Sequence, residues 1–338
     1  MILVTGGTGL VGSHLLYDLV KNNKSVRALI RNREKINLVK KIFSYYSDDS
    51  ENLIQKIDWV EGDILDLYSL EKSFKDIRNV YHCAAIVSFN GKDKSEMINA
   101  NVQGTENVVN LCLNNNIEKL CHVSSIASLG ITLNGELIDE NSKWTSSKNR
   151  STYSISKYES EMEIWRGIQE GLNAVIVNPS VILGPGFWNS GSGSLFTKAA
   201  KGMKYFTNGA TGFVDVRDVT ESMIRLMESD ISAERFILNA ENLSYKDFFD
   251  KTSDAMNIAK PRKEASRKLL QLAVFLDTIA GSLGIKKREI TKEVIKSSTS
   301  VSKYSNEKVK MAIGKSFIPI EKSIGDIAEK FKKKLTIS

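Results

Sequence analysis

Residues 4–12 read Val-Thr-Gly-Gly-Thr-Gly-Leu-Val-Gly, a glycine-rich turn that follows a short apolar stretch and opens an amphipathic segment over Leu10–Lys21. Gly6, Gly9 and Gly12 are spaced three residues apart, and the turn also fits the pattern G-x-G-x-x-G. A strand, a glycine turn and a helix in this order predict a phosphate-binding turn, because glycines let the backbone approach a pyrophosphate and a helix N-terminus attracts anions. The alternative is a glycine-rich turn that binds no ligand.

Short β-branched stretches alternate with longer amphipathic stretches over the first 180 residues. The predicted strands are Ile2–Thr5, Ser25–Ile30, Ile57–Val60, Val80–Cys83, Leu120–Ser124 and Ala174–Asn178. The predicted helices are Leu10–Lys21, Glu34–Tyr45, Leu67–Phe74, Glu96–Asn114 and Tyr153–Gly167, with a polar loop at Ser47–Asn52. This alternation predicts βαβ units, and right-handed crossovers then give an α/β fold, a doubly wound parallel sheet of the Rossmann type.

The alternation weakens after Pro179. Asp218 and Glu221 form a capping-box pattern that predicts a helix from 218 to about 228, and Arg235–Asn239 predicts one more strand of the first sheet. We expect a dinucleotide-binding Rossmann domain over 1–180, to which about 213–240 returns. The segments 181–212 and 241–338 are expected to build a smaller, mainly helical substrate-binding domain.

Composition excludes several classes of protein. The chain has 338 residues, 41% of them apolar, and its net charge of +7 is interpreted as an excess spread along the chain, which does not argue for a nucleic-acid partner. Cys83, Cys112 and Cys121 are odd in number and lack metal-ligand spacing, so we expect buried thiols, a reducing compartment and a cytoplasmic location. No apolar run reaches the length of a membrane span, so we expect neither a membrane partner nor a secretory signal.

The end of the second predicted strand indicates which dinucleotide is bound. Arg31-Asn32-Arg33 follow Ile30, and no acidic residue stands at 30–33 to bind a ribose 2′-hydroxyl. An arginine at this place accommodates a 2′-phosphate, so Arg31, supported by Arg33 or Lys35, predicts NADP(H) rather than NAD(H). The alternative is a solvated basic helix start. Asp63, after the third strand, either accepts from the adenine amino group or caps the helix behind it.

A second set of residues predicts acid–base chemistry. Tyr153 and Lys157 are four residues apart, which places both side chains on one helix face, and we expect the ammonium to lower the pKa of the phenol. Ser124 and Ser125 end the fifth predicted strand. His14, His82 and His122 lie within predicted elements and are expected to be structural. No histidine, cysteine and carboxylate spacing indicates a metal.

Together these stretches resemble the extended short-chain dehydrogenases/reductases, which form the NAD-dependent epimerase/dehydratase superfamily. The resemblance is greatest to the dihydroflavonol-4-reductase and 3β-hydroxysteroid-dehydrogenase members, and it covers nearly the whole chain. The matching stretches are TGGTGLVG (5–12), GDILD (62–66), HCAA (82–85), NVQGT (101–105), HVSSIASLG (122–130), YSISK (153–157), NPSVILGPG (178–186) and FVDVRDV (213–219).

The resemblance implies a role for each matching residue. Tyr153 is the general acid/base, Lys157 lowers its pKa and binds the nicotinamide ribose, and Ser125 orients the substrate oxygen. Asn101 supports the site, and Ser124 touches the cofactor. The expected cofactor-binding residues are Thr5, Gly6, Gly9, Leu10, Val11, Gly12, Arg31, Asp63, Ile64, Ala84, Ala85, Asn101, Ser124, Lys157, Pro179 and Val181. The resemblance also implies a homodimer in which helices 96–114 and 153–167 form a four-helix bundle.

Two departures from the family narrow the function. Ile126 and Ala127 follow Ser125 where sugar-nucleotide dehydratases carry acidic residues, and Val175–Asn178 is apolar where epimerases usually have a polar segment. The apolar residues expected near the reacting carbonyl, or else in the core, are Ile86, Val87, Phe89, Ile126, Val181, Phe187 and Trp188.

We therefore predict an NADP(H)-dependent oxidoreductase that transfers a hydride between nicotinamide and a hydrophobic carbonyl or alcohol, a small-molecule substrate. A second hypothesis is an NAD-dependent sugar-nucleotide epimerase. A third, of a different class, is a non-catalytic dinucleotide-binding sensor or scaffold, and the intact Tyr153, Lys157 and Ser125 argue against it.

Overall fold

The computed structural model describes residues 1–88, 93–131, 136–148, 150–282 and 291–337. The strands are β1 (Ile2–Thr5), β2 (Val26–Ile30), β3 (Ile57–Glu61), β4 (Asn79–His82), β5 (Lys119–Val123), β6 (Leu137–Ile138), β7 (Ala174–Pro179), β8 (Val181–Leu183), β9 (Tyr205–Phe206), β10 (Ala210–Asp215), β11 (Glu234–Leu238), β12 (Glu241–Ser244), β13 (Lys263–Glu264) and β14 (Lys303–Tyr304).

The helices alternate with the strands in the first half of the chain and dominate the second half. They are α1 (Leu10–Lys21), α2 (Ile36–Phe43), α3 (Ser50–Gln55), α4 (Leu67–Ser73), α5 (Lys94–Ile98), α6 (Gly104–Asn114), α7 (Thr152–Gln169), α8 (Gly193–Ala200), α9 (Val216–Met227), α10 (Tyr245–Met256), α11 (Arg267–Ser282), α12 (Lys292–Thr299), α13 (Glu307–Ile313) and α14 (Ile320–Ile337).

Seven parallel strands form the central sheet in the order β11-β7-β5-β4-β1-β2-β3. The predicted doubly wound sheet is thereby confirmed, and β11 is the additional strand that the sequence predicts at 235–239. The strand order reverses at β1, since the chain runs from β1 through β2 to β3 on one side and returns through β4 to β5 on the other. Ligands of open α/β sheets bind at the carboxyl ends of the strands beside such a reversal.

Residues after β7 build a second apolar cluster around Phe196, Phe213, Phe248 and Phe331. β10 pairs with β8 and β12 in a separate three-stranded sheet, so the chain returns to the central sheet with α9 and β11 rather than at 213. The division into a Rossmann domain and a substrate domain stays a prediction. Among the described helices, none combines the length and apolar character needed to span a bilayer.

Several predicted bounds were wrong, and tertiary contacts explain the clearest case. The capping box at 218 does not start a helix: α9 begins at Val216 under Asp215, whose Oδ1 accepts from the Arg217 amide at 2.8 Å. Asp218 is instead buried against Lys315, 2.8 Å away, and accepts from the Ile318 amide at 2.9 Å.

Three other predicted elements differ in detail. α3 begins inside the predicted polar loop at 47–52. The predicted helix 34–45 is a 3-10 turn over Arg33–Lys35 followed by α2. The predicted long helix 96–114 contains a π-helical turn at Asn99–Gln103 between α5 and α6. Such turns often mark functional positions in helices.

Candidate active site

The glycine turn between β1 and α1 has the shape of an anion cradle. Gly6 has φ +69°, and a Cβ there would lie 2.5 Å from the Ala84 amide nitrogen. A Cβ on Gly12 would lie 2.2 Å from the Gly6 oxygen, so both glycines are required by close backbone packing. A Cβ on Gly9 would approach only the Gly6 oxygen, at 3.3 Å. The protein itself therefore tolerates more bulk at Gly9 than at Gly6 or Gly12, as expected where a ligand approaches the backbone.

The first turn of α1 completes this cradle. Gly9 is the N-cap residue, and as a glycine it has no side chain to cap the helix. The first turn, which includes Leu10, Val11 and Gly12, contains no acidic residue. Its amide groups have no partners inside the helix and point toward the turn, where they favour an anion. The residues present thus fit a dinucleotide pyrophosphate.

The ends of β2 and β3 bring two predicted residues together. Arg31 Nη1 lies 3.7 Å from Asp63 Oδ2, and both side chains are more than a third exposed. Asp63 Oδ1 accepts from the Leu65 amide at 3.0 Å, whereas the cap of α4 is Asp66. Asp63 therefore caps a local turn and not the helix, and its charge lies beside the arginine expected to bind a 2′-phosphate. Ile64 is buried, and its carbonyl accepts from Asn107 at 2.8 Å.

Asn101 joins the segment after β4 to α7, the helix that carries Tyr153. Its Oδ1 accepts from the Ile86 amide at 2.7 Å, and its Nδ2 donates to the Ile86 carbonyl at 3.0 Å and to Ser156 Oγ at 3.0 Å. The side chain is 1% exposed. Asn101 thereby holds the backbone at Ile86 next to Ser156 of α7, and its role in supporting the site stays a prediction.

Ser125, Tyr153 and Lys157 meet at the carboxyl end of β5. Tyr153 forms a side-chain hydrogen bond with Ser125. Lys157, one turn further along α7, is 2% exposed and donates from Nζ to the Val123 carbonyl at 2.8 Å. Ser125 Oγ also accepts from the Ala127 amide at 3.1 Å, which fixes the hydroxyl at the start of a short 3-10 turn. A phenol and a hydroxyl are thus held together over the crevice.

Burial shifts the pKa of both ionisable groups at this site. It raises the pKa of the Tyr153 phenol above its usual value, and the hydrogen bond from Ser125 opposes this rise only in part. The expectation that Lys157 lowers the pKa of Tyr153 stays a prediction. Burial also lowers the pKa of Lys157 to about 8, against the attraction of Glu161. Desolvation is the largest cause at both groups, and at Lys157 it outweighs the attraction of the Glu161 carboxylate.

Comparisons with known proteins agree with this geometry. Residues 2–239 match the model of the NAD dependent epimerase/dehydratase family. The chain belongs to this family. It is 28% identical over 338 residues to a protein named "Putative dihydroflavonol 4-reductase" from Synechocystis sp., covering 97% of this chain and 94% of that one. It is 28% identical over 273 residues to "Sterol demethylase protein B" of Methylococcus capsulatus, covering 80% and 78%.

A solved structure supports the same assignment. The crystal structure of gox2253 has a TM-score of 0.81 and 27% identity, and the match covers 99% of this chain and 98% of that one. The predicted resemblance to the extended short-chain dehydrogenases/reductases is confirmed, and this family member is an enzyme, an NAD(P)-dependent oxidoreductase.

The buried carboxylate of Glu161, which the sequence analysis did not identify, connects several polar side chains next to the site. Glu161 Oε2 lies 2.6 Å from Ser124 Oγ, 2.7 Å from Ser128 Oγ and 2.8 Å from Asn178 Nδ2. Its Oε1 accepts from Arg235 Nη1 at 3.0 Å, which ties β11 to α7. The spacing was a usable signal, because Glu161 follows Lys157 by four residues and so lies on the same helix face.

This network changes the interpretation of Ser124. The resemblance implies that Ser124 touches the cofactor, yet its hydroxyl is turned toward Glu161 and the side chain is buried. The contact of Ser124 with a dinucleotide stays a prediction. Thr5 is similar: it is fully buried, and its Oγ1 lies 2.7 Å from His82 Nδ1.

The histidines are neutral groups of the interior. His82 also bonds Thr105 Oγ1, at 3.0 Å, and burial lowers its pKa to about 3. Burial lowers the pKa of His14 to about 4 and that of His122 further below its usual range. Neither ring nitrogen of His122 has a polar partner within the described residues. Among those residues, no group of three His, Cys, Asp or Glu side chains is arranged to hold a metal.

The apolar residues expected around the carbonyl differ in how deeply their side chains are buried. Trp188 is 4% exposed and packs against Phe331 with ring centroids 5.0 Å apart, so it belongs to the core. Ile86 is half-buried and Val87 is 58% exposed, both on the segment that Asn101 fastens. Val181 and Phe187 are half-buried beyond Pro179, and Ile126 packs against Leu129. Phe89 lies outside the described residues.

Proposed function

We propose that this enzyme is an NADP(H)-dependent reductase of a hydrophobic aldehyde or ketone. The observation that carries the proposal is the hydrogen-bonded pair of Ser125 and Tyr153 after β5, in the same sheet as the strand that leads into a glycine turn shaped for a pyrophosphate. When bound, the nicotinamide supplies the hydride. The Tyr153 phenol gives its proton to the substrate oxygen, and Ser125 donates a hydrogen bond that holds this oxygen in place.

The buried environment of the phenol is consistent with a role as proton donor. Burial raises the pKa of Tyr153 and so favours the protonated form, which is the form that protonates an oxygen gaining negative charge. Lys157 lies one turn away and stabilises the phenolate that this transfer leaves. The half-buried Ile86 and the exposed Val87 favour an apolar substrate next to this pair.

The test is turnover of NADPH with a panel of aldehydes and ketones. Tyr153→Phe should bind NADPH but lose about 10²–10⁴-fold in turnover, the usual contribution of a positioned proton donor. Tyr158→Phe is the matched control: this ring stacks on Trp144 at 4.4 Å, its hydroxyl has no assigned role, and turnover should persist. Near-normal turnover by Tyr153→Phe would refute the assignment of Tyr153 as the proton donor. Interconversion of sugar nucleotides without net NADPH consumption would favour the epimerase hypothesis.

We further propose that Arg31 selects NADP(H). Its guanidinium is half exposed at the end of β2, where no carboxylate follows Ile30 to bind a 2′-hydroxyl. Arg31→Ala should weaken NADPH binding by about 10–150-fold, the value of one charge-assisted contact, and leave NADH binding nearly unchanged. Titrations of both cofactors by fluorescence check this. Equal affinities of the unmodified protein for NADPH and NADH would contradict this proposal. The Asp63 carboxylate, 3.7 Å from the Arg31 guanidinium, would then be the structural explanation to test.

The homodimer through α6 and α7 and the cytoplasmic location stay predictions. Light scattering at micromolar concentration tests the dimer.

A further inference from the structure

Helix α11 has apolar side chains on its solvent-exposed face, where polar side chains are expected. Leu272, Phe275 and Leu276 are 51%, 62% and 56% exposed. Their i, i+3, i+4 spacing places them in one stripe. Asp277 lies about 100° round the helix from Leu276, on the packed side, and is 2% exposed. Apolar residues scattered singly on a surface are ordinary, but a contiguous stripe marks an interaction site.

The chain just before this stripe is strongly basic. Residues 260–268 contain five basic residues and one acidic residue, so nine residues carry +4 of the net +7 of the protein. Other stretches are equally basic, so the excess is spread along the chain as predicted, but among these stretches 260–268 leads directly into an exposed apolar stripe. Arg262, Lys263, Arg267 and Lys268 are all exposed. Lys268 precedes Leu272 by four residues and so extends the apolar stripe with a positive charge.

A second chain segment pairs with the basic segment that precedes the stripe. Lys263 of β13 is the register partner of Tyr205 in β9, and Tyr205 is 43% exposed. The preceding Lys204 is exposed, and its carbonyl accepts from the Lys263 amide at 3.2 Å. An exposed tyrosine among lysines has the amphipathic character that places this residue at membrane–water boundaries.

Charge and area distinguish between possible occupants of this surface. A second copy of the chain related by two-fold symmetry would bring two identical basic segments together, which is unfavourable. A stable dimer also needs about 800 Å² from each partner, and the apolar stripe of this surface consists of only three half-exposed side chains. An anionic bilayer surface matches both properties, because it attracts the basic residues and accepts the apolar stripe.

We propose that this docking surface, formed by Lys204, Tyr205, Arg262, Lys263, Arg267, Lys268, Leu272, Phe275 and Leu276, binds anionic membranes peripherally. The expectation of no membrane partner rested on the lack of a spanning segment, and a helix lying in the plane of the interface needs none. The proposal does not depend on the reaction that the enzyme catalyses.

Co-sedimentation of the full chain with phosphatidylcholine vesicles, with and without phosphatidylglycerol, tests the proposal. The unmodified protein should bind the anionic vesicles much more strongly and release them at high salt. Arg267→Gln with Lys268→Gln should weaken binding by about 25-fold, since each basic residue near an anionic surface contributes about fivefold. Leu272→Ser, Phe275→Ser and Leu276→Ser together should weaken it by at least about tenfold.

The control replaces Leu67, Tyr68 and Met311 by Ser, three side chains that are 55%, 69% and 80% exposed elsewhere. This variant should bind like the unmodified protein, and circular dichroism should show that all variants are folded. No binding of the unmodified protein to anionic vesicles, or full binding by the triple α11 variant, would overturn the proposal. A dimer in light scattering that the triple α11 variant dissociates would also overturn it, in favour of a second copy.

Discussion

Replacing Lys157 by Met should make the protein more stable at neutral pH while it destroys catalysis. Lys157 is 2% exposed, and burial lowers its pKa from 10.5 to about 8. This difference corresponds to about 3 kcal/mol of unfavourable free energy for burying the ammonium. Met fills a similar volume without charge but loses the hydrogen bond to the Val123 carbonyl, which contributes about 1 kcal/mol. The expected net gain in free energy of unfolding is about 2 kcal/mol.

Removal of the Lys157 ammonium does not leave the buried Glu161 carboxylate without a positive charge beside it. Arg235 lies 3.0 Å from this carboxylate and continues to neutralise it in the variant.

The pH dependence provides a sharper check. Below pH 8 the lysine is charged in both the folded and the unfolded state, so the full cost of burial is present. Between about pH 8 and 10.5 the unfolded state binds more protons, so the unmodified protein gains stability as pH rises. The advantage of Lys157→Met should therefore shrink over this range and reverse by about 1 kcal/mol, since only the lost hydrogen bond remains.

Urea denaturation of both proteins at pH 7 and near pH 10.5 measures this difference. Lys41→Met, at an exposed position, is the control and should show no such change with pH. If Lys157→Met were less stable than the unmodified protein at pH 7, or if the difference were the same at both pH values, the account of the buried ammonium would be refuted.

Two further predictions concern stability and the cofactor site. Arg235→Met should lower the free energy of unfolding, measured by urea denaturation, by about 3 kcal/mol, because it leaves the Glu161 carboxylate, which is 1% exposed, without its ion-pair partner. Arg78→Met, at an exposed ion pair, should lower it by at most about 1 kcal/mol. Equal costs would contradict the assigned network. Gly12→Ala should abolish NADPH binding in a fluorescence titration, since its Cβ would meet the Gly6 oxygen at 2.2 Å, whereas Gly325→Ala, inside α14 with open space around it, should stabilise the fold by about 0.5–1 kcal/mol. Normal NADPH binding by Gly12→Ala would refute the close-packing argument.

The candidate site was predictable where neighbours in sequence are neighbours in space. The glycine turn lies within nine residues, and Tyr153 and Lys157 lie on one helix turn, so their proximity needs only the period of a helix. The role of Ser125 was implied by the family resemblance, and the sequence itself placed this residue at the end of the fifth predicted strand. The sequence also predicted one more strand of the first sheet at 235–239, and only the structure shows that this strand, β11, pairs with β7.

The sequence by itself determined the doubly wound sheet, the glycine turn and the tyrosine–lysine helix, because periods of 2 and 3.6 residues and the spacing of glycines are local properties of the chain. Only the tertiary structure decided that Asp218 pairs with Lys315 instead of capping a helix, and that Glu161 is joined to Arg235, 74 residues away. It also decided the direction of the pKa of Tyr153, since desolvation depends on everything that packs around a group. Contacts between distant residues and the loss of water around them arise only when the whole chain has folded.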